Sequence, residues 1–390
     1  MEDIKEVEIN KCWCGNEELE VFNDKYKKCM SCFTLINTPR QITSFYEVEN
    51  ENDDDAFYGK NYWMGHQTDD LGHPSIFQRS RKDLGERCLY WLQAVLKYKL
   101  PPGDSLEVGS GPGAFVQMMK SVGYDAQGLE LSPWVAKYGS KTHGVKIINS
   151  RIEDVSDGID AKDVIAMMDV LEHFTDPVET MSHVVRVLKD DGLLVIQTPC
   201  YNHMSYQEML DANDPFLIQL KDQEHLFLFS KEAIAILLKQ LDIRNIEFLD
   251  PLFPYDMFVM ASANSLQALE TDRITEFMEA KPDTRLILAM LDLFNEHRRV
   301  LAEAEERLKN NQIMERLLKV SEQDRTHRLE SIQTLERMLG ESEQDRAARL
   351  ESIQTLERLL RESEQDRHAR LETINSLEAL VSEKTGGVKK

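Results

Sequence analysis

The chain has 390 residues, room for two or three folding units, and its 42% hydrophobic content suffices for at least one core. A formal net charge of -23 disfavours an enzyme acting on DNA or RNA, because phosphate recognition needs a basic face to displace counterions. No stretch approaches the roughly 20 apolar residues that span a bilayer, and Met1 to Asn10 lacks the apolar run of a secretory signal, so a cytoplasmic location is expected.

Four of the six cysteines lie within the first 32 residues, which argues for a local site and against a disulfide scaffold. Cys12-Trp13-Cys14 and Cys29-Met30-Ser31-Cys32 form two pairs separated by 14 residues. That spacing suits a tetrahedral zinc ribbon among short strands, although the first pair is C-x-C where C-x-x-C is usual. Four thiolates leave no open position, so the expected Zn2+ is structural; a redox pair is the alternative. Cys88 and Cys200 read as ordinary semi-buried thiols.

An acidic connector, Glu47 to Asp55, leads into the aromatic run Phe57-Tyr58-Gly59-Lys60-Asn61-Tyr62-Trp63. From Ser75 to about Lys99, the positions of Ile76, Leu84, Cys88, Leu89, Trp91, Leu92, Val95 and Leu96 predict a helix with one apolar face. Short apolar runs then alternate with helical segments: Leu106–Val108, Ala126–Leu129, Val145–Ile148, Val164–Met168, Leu193–Gln197, Ile243–Phe248 and Met257–Ala261. These seven predicted strands fit one doubly wound α/β domain with a mainly parallel sheet.

Beyond Asp283 the chain repeats itself. Ser321-Glu322-Gln323-Asp324-Arg325 returns at Ser342 and at Ser363, a shift of 21 residues, or three heptads. With Leu329, Leu350 and Leu371 at a positions, the d positions include Ile332, Leu339, Arg346, Ile353, Leu360, Arg367 and Ile374. A left-handed parallel homo-oligomeric coil follows, with a polar layer in each repeat and a mild preference for a trimer. Gly340 is a candidate bend. The expected division is 1–44 zinc ribbon, 45–82 connector and lid, 83–265 catalytic domain, 266–283 linker, 284–383 coil and 384–390 disordered tail.

The strongest motif is Leu106-Glu107-Val108-Gly109-Ser110-Gly111-Pro112-Gly113-Ala114-Phe115, at the junction of a strand and a helix. Glycines there let the backbone approach a ligand, and the helix amino end offers unpaired N–H donors. Glu130, ending Gly128-Leu129-Glu130, is placed to accept both ribose hydroxyls of a nucleoside lying across the strand ends. Asp169-Val170-Leu171-Glu172-His173 puts polar groups just past a fourth strand, and the turn Val187 to Gly192 feeds the next strand, Leu193 to Pro199. A nicotinamide-dependent oxidoreductase is the main competitor, but its pyrophosphate needs GxGxxG, and here Ala114 stands in the third-glycine slot.

In this order and spacing the stretches resemble class I S-adenosylmethionine methyltransferases, closest to the group with an N-terminal Cys-rich module common in polysaccharide and sugar biosynthesis. The resemblance covers about Lys11 to Ala263 and implies a Rossmann-like seven-stranded domain. It implies that Glu107, Gly109, Gly111 and Gly113 hold the methionine part of the cofactor and Glu130 the ribose. Leu131 and Ile152 belong to the same site, and Asp169 and Val170 lie beneath the methyl donor. Ser150-Arg151-Ile152-Glu153-Asp154 departs from the usual acid at the adenine amine, which leaves the adenine contact open.

A hydroxyl nucleophile needs a base. His225, in the segment where this group builds its acceptor pocket, is the expected base, oriented by Glu224, with His173 as the alternative. Tyr62, Trp63 and His66 are expected to form a lid over cofactor and acceptor, or else to fix the connector to the domain surface. The resemblance points to a sugar hydroxyl on a glycan or nucleotide-sugar; C-methylation of a nucleotide-linked deoxysugar is the alternative. A methyltransferase head on a repeat-built coil also resembles the chain-terminating enzymes of bacterial O-polysaccharide synthesis. That likeness implies a spacer role, a glycosyltransferase partner and peripheral placement at the inner membrane. A coiled-coil scaffold with an inactive methyltransferase domain is the reading from another class.

Overall fold

The computed structural model describes residues 6–41, 57–70, 72 and 74–385; the expected acidic connector, Glu47 to Asp55, lies outside them. The chain divides into two compact units, Met1–Arg299 and Val300–Lys390.

At the amino end stand short strands β1 (Glu6–Val7), β2 (Leu19–Val21), β3 (Tyr26–Cys29), β4 (Leu35–Asn37) and β5 (Arg40–Gln41). After the π-helical segment Tyr62–Asp70 come α1 (Ile76–Gly85) and α2 (Arg87–Tyr98). Where one helix is expected there are two, broken at Glu86, whose φ of -121 and ψ of -96 leave the helical region. The break lets α2 bury Cys88, Leu89, Trp91, Leu92, Val95 and Leu96 while α1 buries only Ile76 and Ser80. The capping box of Ser75 with Gln78 fixes the start of α1.

The central sheet is then laid down by β6 (Asp104–Val108), α3 (Ala114–Val122), β7 (Asp125–Glu130), α4 (Pro133–His143), β8 (Lys146–Asn149), α5 (Ile152–Val155), β9 (Lys162–Met168), α6 (Pro177–Arg186) and β10 (Leu188–Pro199). Next come α7 (Tyr206–Ala212), β11 (Phe227–Leu228), α8 (Lys231–Gln240), β12 (Asn245–Leu249) and β13 (Asp256–Ser262). All seven predicted strands form in one sheet of order β12-β13-β10-β9-β6-β7-β8. It is mixed: only β13 runs against its neighbours β10 and β12.

Both faces are covered, as a parallel sheet requires. Along β9, Val164, Ala166 and Met168 enter the core shared with α2 and α3, while Ile165 and Met167 enter the core on the opposite face. The β6-to-β9 crossover opens the sheet's carboxyl edge where the glycine loop sits.

β4 pairs antiparallel with β11, so a strand that follows the seven-stranded sheet's β10 completes the four-stranded amino-terminal sheet β11-β4-β3-β2. Two helices follow the sheet: α9 (Thr271–Glu279), inside the expected linker, and α10 (Pro282–Thr385). Ile287, Leu291 and Phe294, in the first turns of the expected coil, are instead buried in the α2 and α3 core. Helix α10 runs unbroken through Gly340. In the second unit Leu329, Ile332, Leu350, Ile353, Leu371 and Ile374 stand exposed. Ion pairs Asp324–Arg328, Asp345–Arg349 and Asp366–Arg370 recur at the 21-residue spacing, as a coiled-coil helix would carry them.

Candidate active site

A cavity of about 840 Å³ opens at the carboxyl ends of β6, β7 and β9. The glycine loop forms its floor. Gly109 has φ +70, and a Cβ built there would meet Val170 Cγ2 at 2.2 Å, so only glycine fits. A Cβ on Gly111 would meet the Trp63 indole at 3.0 Å, which brings the π-helical segment against the loop.

Glu130 is buried and braced by two backbone donors, Gly111 N at 2.9 Å and Ser132 N at 2.9 Å. Glu107 is buried with Oε2 unpartnered, and burial pushes its carboxyl well above the ordinary range, with the Glu130 charge adding to the shift. Ser110 Oγ and Trp63 Nε1 are also buried without a partner. A cluster of unmet polar atoms around one cavity is the mark of a ligand that supplies the missing bonds.

Asp169 is held at φ +57 by Gln197, whose carbonyl accepts from Asp169 N at 2.9 Å and whose amide donates to Oδ1 at 2.8 Å. Arg87 Nη1 lies 3.4 Å from Asp169 Oδ2, and its guanidinium sits over Trp91 and Phe253. Asp256 also lines the cavity; burial, then the Asp169 charge, push its carboxyl up to about 8.

His225 is buried, and its Nδ1 donates to Gln219 O at 2.7 Å, which leaves Nε2 with the lone pair. Burial, with the neighbouring His173 and Lys221, holds it well below 6.5, in the neutral form. The expected partnership with Glu224 is not the one observed. The Glu224 carboxylate turns instead to His66 Nε2 at 2.8 Å and Tyr62 Oη at 3.2 Å. His173 Nδ1 donates to Glu224 O at 2.8 Å, with the Tyr58 hydroxyl at 3.0 Å.

The expected residues Glu107, Gly109, Gly111, Glu130, Leu131, Ile152, Asp169, Val170, His173, Glu224, His225, Tyr62 and Trp63 all line the cavity. His66 and Gly113 stand outside the lining: His66 behind Glu224, and Gly113 at the N-cap of α3, packed under Ile147. Arg79, Arg87, Tyr58, Lys221, Tyr255 and Asp256 line it too and were not anticipated. A basic residue on an amphipathic helix reads as solvated surface until the helix break turns it inward.

Residues 77–247 match the sequence model of a methyltransferase domain family. An uncharacterized protein of Methanocaldococcus jannaschii is 29% identical over 162 residues, 41% of this chain and 73% of that protein. The ubiquinone biosynthesis O-methyltransferase of Cereibacter sphaeroides is 30% identical over 106 residues, 26% of this chain. The match spans 43% of that enzyme's own length. A SAM-dependent methyltransferase of Thermotoga maritima is 19% identical with a TM-score of 0.36, covering 48% of this chain and 96% of that one.

Residues 77–247 are an S-adenosylmethionine-dependent methyltransferase domain.

The cavity of the methyltransferase domain fits that cofactor. Two buried carboxylates, the glycine loop, and Glu107, Ser110 and Trp63 with their orphaned polar atoms all belong to its lining. Away from the cavity, the Sγ atoms of Cys12, Cys14, Cys29 and Cys32 lie within 4.8 Å of one another, with Cys12 to Cys32 at 3.5 Å and Cys14 to Cys29 at 3.6 Å. Four converging free thiols are a donor set suited to a soft or borderline cation. Among the described residues, no helix is long and apolar enough to cross a membrane.

Proposed function

We propose that the methyltransferase domain transfers its methyl group to a sugar hydroxyl of a glycan or nucleotide-sugar, with His225 as base and His173 as its alternative. The observation that carries this reading is the pair of imidazoles whose Nδ1 atoms are tied to backbone carbonyls, so that both Nε2 lone pairs remain for an acceptor proton. Tyr58, Tyr62, Trp63, Phe253 and Tyr255 add aromatic walls of the kind that pack on sugar rings.

In this reading Glu130, braced by Gly111 N and Ser132 N, takes the ribose hydroxyls. Glu107 and the loop of Gly109, Gly111 and Gly113 face the methionine part, and Leu131 and Ile152 flank the base. Arg79 and Arg87 supply positive charge for the cofactor's carboxylate. Asp169 and Val170 lie under the sulfonium. S-adenosylmethionine supplies an activated methyl group, so alignment and exclusion of water are the protein's tasks. Tyr62, Trp63 and His66 close the top, with His66 acting through Glu224.

The four cysteines hold a structural Zn2+, and the exposed stripe of the second unit pairs with copies of itself. The head and coil together suit capping of a bacterial surface polysaccharide in the cytoplasm, beside a glycosyltransferase at the inner membrane. The decisive experiment is methyl transfer from labelled S-adenosylmethionine to nucleotide-sugars and short glycans, followed by glycosidic analysis of the methylated atom. Label on a sugar oxygen supports the reading. Label on carbon shifts it to C-methylation of a deoxysugar, and cofactor binding without transfer to any sugar removes it.

A further inference from the structure

Besides the cysteines, one other group among the described residues converges closely enough to hold a metal: Glu172, His173 and His225, whose ligand atoms lie within 4.8 Å of one another. All three line the cavity. Glu172 and His173 belong to the turn after β9 and His225 to the loop before β11. Leu226 N joins the two segments by donating to Glu172 O at 2.8 Å.

Each donor is already aimed. The Nδ1 atoms of His173 and His225 are spent on Glu224 O and Gln219 O, leaving the two Nε2 atoms. Thr198 Oγ1 donates to Glu172 Oε2 at 2.9 Å, which leaves Oε1 free, 3.9 Å from His173 Nε2. Imidazoles anchored through one nitrogen and a carboxylate braced by a hydroxyl form the outer support that orients metal ligands. Ligands about 2.1 Å from one ion at tetrahedral angles stand about 3.4 Å apart, so the 3.9 Å pair must close by about half an ångström. The rest of the set, within 4.8 Å, closes by up to about 1.4 Å through side-chain rotation. Among the described residues no lysine or arginine makes a salt bridge to the buried Glu172.

We propose that Glu172, His173 and His225 bind one divalent cation of the manganese-to-zinc series inside the cavity. Two imidazoles and one carboxylate are a borderline donor set that leaves coordination positions open to oxygen. The ion's role, though not its binding, rests on the methyl-transfer reading. Adjacent sugar hydroxyls chelate the ion, and one loses its proton to water. Its oxygen bonds to the methyl carbon as the C–S bond breaks, and the electron pair stays on sulfur as a neutral thioether. With the ion bound, the imidazoles are ligands and not bases.

The test loads the full chain with Zn2+, removes the excess by dialysis and compares metal content by mass spectrometry with that of Glu172→Gln and His225→Ala. One zinc fewer per chain in the variants is expected, and equal content in all three overturns the proposal. Glu172→Gln is isosteric and keeps an acceptor for Thr198, so it reports even where His225→Ala fails to fold. Calorimetry with S-adenosylmethionine on the same samples separates the two readings. Cofactor binding with equal zinc content sinks the ion alone; an extra zinc without cofactor binding sinks methyl transfer alone.

Discussion

Gly109 shows how a single backbone angle commits a site. A side chain there would meet both an unfavourable φ of +70 and Val170 at 2.2 Å. Gly109→Ala should therefore destabilise the fold by about 1–3 kcal/mol and abolish cofactor binding, to be checked by thermal melting and calorimetry. Glu130 joins the loop to β7 by accepting from Gly111 N and Ser132 N. Its carboxylate makes charge-assisted bonds worth about 1.5–3 kcal/mol each. Glu130→Ala should weaken S-adenosylmethionine binding by at least tenfold; affinity equal to wild type would remove Glu130 from the site. The carboxylate-glycine grammar of these residues was legible because it is local. The partner of Glu224 was not, because Tyr62 and His66 lie about 160 residues away in sequence, beyond the reach of any spacing rule.

Among the elements, strand existence followed from apolar runs of three to six residues, whereas the course of the helices depended on neighbours. The break at Glu86 has no proline to announce it; Gly85 weakens the helix there and packing of α2 decides the rest. The start of α10 shows the opposite conflict. Ile287, Leu291 and Phe294 continue an apolar stripe suited to a coil, yet they are consumed by the catalytic core. Within the exposed part, deletion of residues 342–362 removes one 21-residue repeat and keeps the stripe in line. Light scattering should show the same oligomer as the intact chain, while glycan length shifts and methylation rate does not. Removing residues 342–365 instead should break the register and lower the oligomeric mass. Unchanged glycan lengths after the in-register deletion would end the spacer reading.

For the whole molecule, the cysteine cluster is not an appendage. Cys12, Cys29 and Cys32 share a core with Leu106, Ile165 and Phe229, and β4 draws β11 out of the catalytic half. Tyr26 Oη donates to His225 O at 3.0 Å and Ser230 Oγ to Cys32 O at 3.0 Å, so the module also fixes the segment that carries the candidate base. Chelation of the proposed zinc, or Cys29→Ser, should therefore lower the melting temperature of the first unit in one cooperative step and weaken cofactor binding with it. A separate early transition with cofactor binding intact would show the module to be independent.

What the sequence determined by itself was whatever depends on short range: seven strands, the glycine loop with its two carboxylates, the paired cysteines and the three-heptad repeat. Tertiary structure alone decided which distant segments meet. Pairing of β4 with β11, the turn of Arg79 and Arg87 into the cavity, and the meeting of Glu172, His173 and His225 all depend on chain segments folded across one another. Periodicity reports which face of an element is apolar, not what that face will find.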